Sequence, residues 1–135
     1  MDLKIGQTAS RELTVTEEMV LAYAEITGDY NPLHFDSKFA ARTRFQRLTA
    51  QGGIATGLVH ALVAMDMPGA GSVFTAQKWS FRKPVYIGDT IGARATVKAV
   101  YPKRAMAKLD IVVSNQLGEH VLTGEATVLA MKPDV

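Results

Sequence analysis

The chain has 135 residues, 47% of them hydrophobic and 21% charged, which suits one ordinary folded domain and is far from a disordered composition. It holds no cysteine, so disulfides, thiolate metal sites and cysteine nucleophiles are excluded. Fifteen Lys and Arg against thirteen Asp and Glu leave a net charge of +2, too little to argue for nucleic acid as a partner, though a local basic patch could still meet phosphate groups.

Charges interrupt the opening segment MDLKIGQTASRELTV before any apolar run of signal-peptide length. The longest apolar run, Gly52 to Met67, carries His60 and Asp66 and is shorter than the roughly 20 residues a bilayer needs. The expected compartment is the cytoplasm, with no membrane partner. No linker, repeat or low-complexity tract divides the sequence, so a single domain over residues 1–135 is expected.

The first half reads as helical. Thr16 followed by Glu17 and Glu18 is an N-cap with an acidic first turn. Behind it Met19, Val20, Tyr23, Ala24 and Ile26 recur at helical spacing, and Gly28 stops the helix. A second short helix is expected within Ser37 to Thr43. From Gly52 to Met67 the apolar residues Ile54, Leu58, Val59, Leu62, Val63 and Met65 lie around the whole circumference, which marks a buried helix. Pro68, Gly69 and Gly71 end it.

The second half has a period of two. Val73, Trp79 and Phe81 oppose Lys78, Ser80 and Arg82. Ile91, Ala93, Ala95, Val97 and Ala99 form the next apolar set, then Ala105, Ala107, Leu109, Ile111 and Val113, then Leu122, Ala126, Val128 and Ala130. Turn signals at Tyr101 to Lys103 and at Asn115 to Gly118 separate them, as in an antiparallel meander. Helices followed by strands indicate an α+β chain. The economical packing is a curved antiparallel sheet wrapped around one long buried helix, the hot-dog architecture.

Two segments could carry chemistry. In Thr27 to Asp36, Asp29 and His34 stand five residues apart in a loop, with Asn31-Pro32 between them to break helical geometry. Brought to one side of a stiff loop, an acid and an imidazole can share a water, one taking a proton while the other gives one. The bland alternative is that Asp29 caps a turn and His34 is a partly buried loop histidine. In Gln51-Gly52-Gly53, glycines at a helix start leave N–H groups uncovered where the dipole favours negative charge. An enolate oxygen could be held there. Equally, the glycines could serve only close packing of the helix.

Other signals are weaker. Asp29, His34 and Asp36 could be read as metal ligands, but His60 and His120 supply no recognisable metal spacing, and no metal or organic cofactor is expected. His60 reads as a core or interface histidine, and Trp79 and Phe81 as core residues. Arg82, Lys83, Lys103 and Arg104 read as a solvated rim that could meet the phosphates of a nucleotide-bearing substrate.

The run YAEITGDYNPLH from Tyr23 to His34, with Phe39-Ala40-Ala41, Phe45, Pro68-Gly69, Gly71-Ser72 and Phe81 to Asp89, resembles the R-specific enoyl-CoA hydratases of the MaoC-like dehydratase family. The resemblance covers about Ile5 to Val128. It implies that Asp29 and His34 are the catalytic pair and that the Gly52 N–H polarises the thioester carbonyl. It also implies syn hydration of a 2-enoyl-CoA thioester to an R-3-hydroxyacyl product, or the reverse, without a cofactor. A homodimer or higher homo-oligomer with sheets joined edge to edge is implied too. Asn31, Gln51, Arg82 and Lys83 are the candidate substrate-binding residues. One departure stands out: family members commonly have His-Gly where this chain has Gln51-Gly52. A thioesterase, an acyl-carrier-protein dehydratase and a non-catalytic acyl-thioester-binding subunit of the same fold are the alternatives.

Overall fold

A computed structural model describes residues 2–131. Five antiparallel strands form one sheet in the order β1-β3-β4-β5-β2. These are β1 (Thr8–Thr14), β2 (Ser72–Phe81), β3 (Thr90–Tyr101), β4 (Met106–Ser114) and β5 (His120–Ala130). Four helices lie between β1 and β2: α1 (Glu17–Thr27), α2 (Pro32–Phe35), α3 (Ser37–Ala41) and α4 (Gly52–Met65).

The expected α+β hot-dog architecture is what the chain adopts. α4 lies in the curve of the sheet, touching β1, β2 and β3. Ile54, Leu58, Val59, Leu62 and Val63 are buried against Ile91, Leu109, Ile111 and Leu122. Fully burying one such side chain contributes roughly 1.5–3 kcal/mol. Ala93, Ala95, Ala107 and Ala126 share the inner face, and these small residues let the helix approach the sheet closely.

Several expectations fail, each for a local reason. The first half is not wholly helical, because Thr8–Thr14 is an edge strand paired with β3. Its polar sequence carries little alternation, and Arg11 and Glu12 suit a strand edge left open to solvent. Asn31-Pro32 does not merely break a helix but starts one: Asn31 caps α2, and Pro32 takes a first-turn position that needs no N–H donor. Ile26 points outward from α1 at 84% exposure, whereas Val20 and Ala24 are buried. On α4, Met65 and His60 are exposed, so the helix is not buried all round.

Three bulges shift the strand pattern. An extra residue in one strand reverses which side chains face inward beyond it. Thr75 is the extra residue in β2, so Phe74 rather than Val73 packs on the core, followed by Trp79. Phe81 is exposed as well. Lys98 is the extra residue in β3, so Val100 replaces Ala99 on the inner face. Val121 is the extra residue in β5, and both Val121 and Leu122 are buried. Ala105 lies outside β4 in a left-handed turn.

Candidate active site

The Asp29–His34 loop begins where α1 ends. Gly28 takes the left-handed conformation (φ 83°) and its N–H bonds to the Ala24 carbonyl, turning the chain out of the helix. Asp29 N–H then donates to Thr27 Oγ1 at 3.2 Å, and Asn31 N–H donates to Asp29 Oδ1 at 3.3 Å. Asn31 Oδ1 accepts from Leu33 N–H at 3.0 Å, which caps α2 and sets the helical turn that carries His34.

His34 is buried, and its Nδ1 lies 2.7 Å from the Thr49 carbonyl oxygen. A carbonyl only accepts, so Nδ1 carries the proton and the ring is fixed in orientation and tautomer. Nε2 is thereby left to face Asp29 Oδ1 at 3.9 Å. With that base and hydrogen-bond legs of about 2.8 Å, one water can touch both atoms at once. Asp29 is half-exposed, so the pair opens toward solvent on one side.

Gly52 is the first residue of α4, where no preceding turn supplies a carbonyl for its N–H. It lines a cavity of about 320 Å³ together with His34, Phe45, Phe81, Arg82 and Lys83. A Cβ at Gly52 would sit 2.9 Å from Phe81 Cε1, so the absent side chain keeps the cavity wall open. Gly53 differs. A Cβ there would lie 1.8 Å from the Tyr23 hydroxyl, so this glycine is required for packing of α1 on α4.

The remaining expected residues divide. Arg82 and Lys83 line the cavity; Arg82 Nε donates to Thr123 Oγ1 at 3.1 Å, and the Lys83 ammonium is paired with Glu119. Lys83 holds the Glu119 carboxyl below its usual range, helped by the Asn115 amide. The Asn31 side chain is engaged in capping α2. Gln51 is buried beneath the loop and does not line the cavity. Asp36 Oδ1 caps α3 through the N–H groups of Lys38 and Phe39, and among the described residues no cluster of three potential metal ligands exists. His60 stands outside the core against Phe74 and Gln77.

Two contributors were not anticipated. Arg44 adds a third cation to the cavity wall. Thr49 acts through its backbone carbonyl, which no residue type in the sequence announces.

An acid and a fixed imidazole close to a helix N-terminus and a cavity define the class: a hot-dog protein with a pair of groups suited to proton transfer. Residues 3–119 match the family described as MaoC like domain, and the chain belongs to that family. It is 38% identical over 134 residues to a protein of Methylorubrum extorquens named 3-hydroxybutyryl-CoA dehydratase, covering 98% of this chain and 84% of that one. It is 36% identical over 126 residues to the (R)-specific enoyl-CoA hydratase of Aeromonas caviae, covering 93% and 94%. The solved (R)-hydratase of A. caviae superposes with a TM-score of 0.92 at 35% identity, covering 96% of this chain and 98% of that one.

Proposed function

We propose that the chain is an R-specific enoyl-CoA hydratase, a hydro-lyase that adds water to 2-enoyl-CoA thioesters or removes it from (R)-3-hydroxyacyl-CoA. The observation that carries the site assignment is the pair itself: Asp29 Oδ1 and His34 Nε2 at 3.9 Å, with the imidazole locked from behind by the Thr49 carbonyl. A water held between them adds its hydroxyl to C3. The pair takes the water's proton as the bond from oxygen to C3 forms and passes that proton on to C2, so it ends each turnover in the protonation state in which it began. Both transfers come from one side of the double bond, so addition is syn. Charge that develops on the thioester oxygen is met by the Gly52 N–H and the α4 dipole.

The cationic wall of Arg44, Arg82 and Lys83 supports a substrate whose carrier bears phosphates. The Lys83–Glu119 pair means that Lys83 would exchange one anion for another there. CoA is the carrier in this reading. The same chemistry on an acyl carrier protein is the second reading, favoured by 33% identity to a mitochondrial protein of Solanum lycopersicum named 3-hydroxyacyl-[acyl-carrier-protein] dehydratase.

The reading includes a single catalytic domain and a homodimer joined along β2. That strand is a sheet edge with free backbone groups, and Val73 and Phe81 are exposed near its two ends, where a second copy would cover them. It also includes action in the cytoplasm. Among the described residues no helix is long and apolar enough to cross a membrane. The test is incubation of the purified protein with 2-enoyl-CoA and with the carrier-bound analogue, following loss of the enoyl absorbance, free thiol and product chirality. R-3-hydroxyacyl-CoA without thiol release is the expected product. Thiol release, or an S product, would contradict the reading.

A further inference from the structure

Gln51 stands at the N-cap of α4, yet its side chain makes no capping bond to the helix. It is 2% exposed, and its amide reaches elsewhere. Nε2 donates to the Val20 carbonyl of α1 at 3.0 Å and to the Asp29 carbonyl at 3.4 Å. Among the described residues every other hydrogen bond of Asp29 is made within two residues, to Thr27 and Asn31. The Gln51 amide is therefore the hydrogen bond that ties Asp29 to the helix whose first N–H belongs to Gly52.

The other half of the amide argues against a purely structural role. Gln51 Oε1 is buried without a partner among the described residues, and a buried acceptor left unpaired disfavours folding. A methionine of the same reach would fill the space without that penalty. The bonds donated to Val20 and Asp29 are set against that penalty, so an apolar side chain is open to this position on stability grounds, whereas the tie to Asp29 needs the donor.

We infer that Gln51 is a positioning residue, holding the Asp29 backbone at a fixed offset from the start of α4. The carboxylate, His34 Nε2 and the Gly52 N–H then keep one geometry around the reacting carbons. The inference rests on the roles proposed above for Asp29 and Gly52. Displacement of a catalytic group by about 1 Å can slow a reaction a hundredfold, so a tether of this kind acts on turnover more than on binding.

The test is steady-state hydration of 2-enoyl-CoA by full-length Gln51→Met, Gln51→Asn and Gln51→His proteins, with thermal midpoints measured alongside. Gln51→Met should keep its midpoint while kcat falls about tenfold or more and KM stays within about twofold. Gln51→Asn, whose amide is too short to reach Asp29, should behave alike. Gln51→His, which restores one N–H donor, should recover to within about threefold of the parent protein. Adding Gln51→Met to Asp29→Asn should lower kcat no further, because the tether acts through Asp29. An unchanged kcat in Gln51→Met would overturn the inference, as would a rise in KM alone or an additive loss in the double variant. A Gln51→Met protein that does not fold would overturn it too, by showing that the amide serves stability. An inactive Asp29→Asn protein beside a fully active Gln51→Met protein would remove this inference and leave the underlying mechanism intact.

Discussion

The loop from Thr27 to Asp36 and the outer face of α4 each carry a histidine, and the two are held differently. His34 is buried, donates from Nδ1 to a carbonyl and turns Nε2 toward a carboxylate. His60 is exposed, stacks 4.4 Å from the Phe74 ring and places Nε2 2.8 Å from Gln77 Nε2. Gln77 Oε1 already accepts the Trp79 indole proton, so its amide N–H faces His60, whose Nε2 accepts. The lone pair that His34 turns toward Asp29 is, in His60, used up by a neighbour. No carboxylate lies within salt-bridge reach of His60 among the described residues. Partners, not residue type, decide which imidazole can move a proton.

Exchange of each histidine breaks the comparison most directly. His34→Ala should lower the hydration rate by at least about a hundredfold, the lower end of what positioned acid–base groups contribute. His60→Ala should leave kcat within about twofold under the same assay. Equal losses from both would erase the distinction drawn here.

The next effect concerns the carbonyl end of the site. Gly52→Pro removes the N–H at a helix position that tolerates proline, and loss of one such donor typically costs about 3 kcal/mol of transition-state energy. Turnover should fall by about two orders of magnitude in protein that remains folded by circular dichroism. Full activity in that folded variant would rule out the role of Gly52.

The smallest effect lies at the cationic rim. Lys83 foremost, then Asn115, holds the Glu119 carboxyl below its usual value of 4.5. A lowered carboxyl favours the folded state above its unfolded value and loses that contribution as pH falls through the folded one. Both partners are solvent-accessible, so the effect is small and sensitive to salt. Glu119→Gln should lower the thermal midpoint slightly at pH 7, with the difference shrinking as pH falls below 4.5. A difference that does not shrink on acidification would contradict the pairing.

The sequence made the chemistry of the loop more legible than its mechanics. Asp29, Asn31-Pro32 and His34 stand together in the chain, so local spacing exposed them. Thr16, Gly28 and the apolar residues of α4 likewise announced two helices through caps and periodicity. The bulges at Thr75, Lys98 and Val121 did not show, because an extra residue is defined only against its partner strand. β1 was hidden by its polar edge sequence. The Thr49 carbonyl and the Gln51 tether depend on contacts 15 and 22 residues distant in the chain, made to backbone atoms that every residue possesses.

The most direct test of the central claim is the turnover of Asp29→Asn on 2-enoyl-CoA, measured with its thermal midpoint. The substitution is nearly isosteric, so the midpoint should stay close to that of the parent while the rate falls by at least about a hundredfold. Combined with His34→Ala it should be little worse than the worse single variant, because the two groups serve one water. Near-normal turnover by folded Asp29→Asn protein would contradict the mechanism.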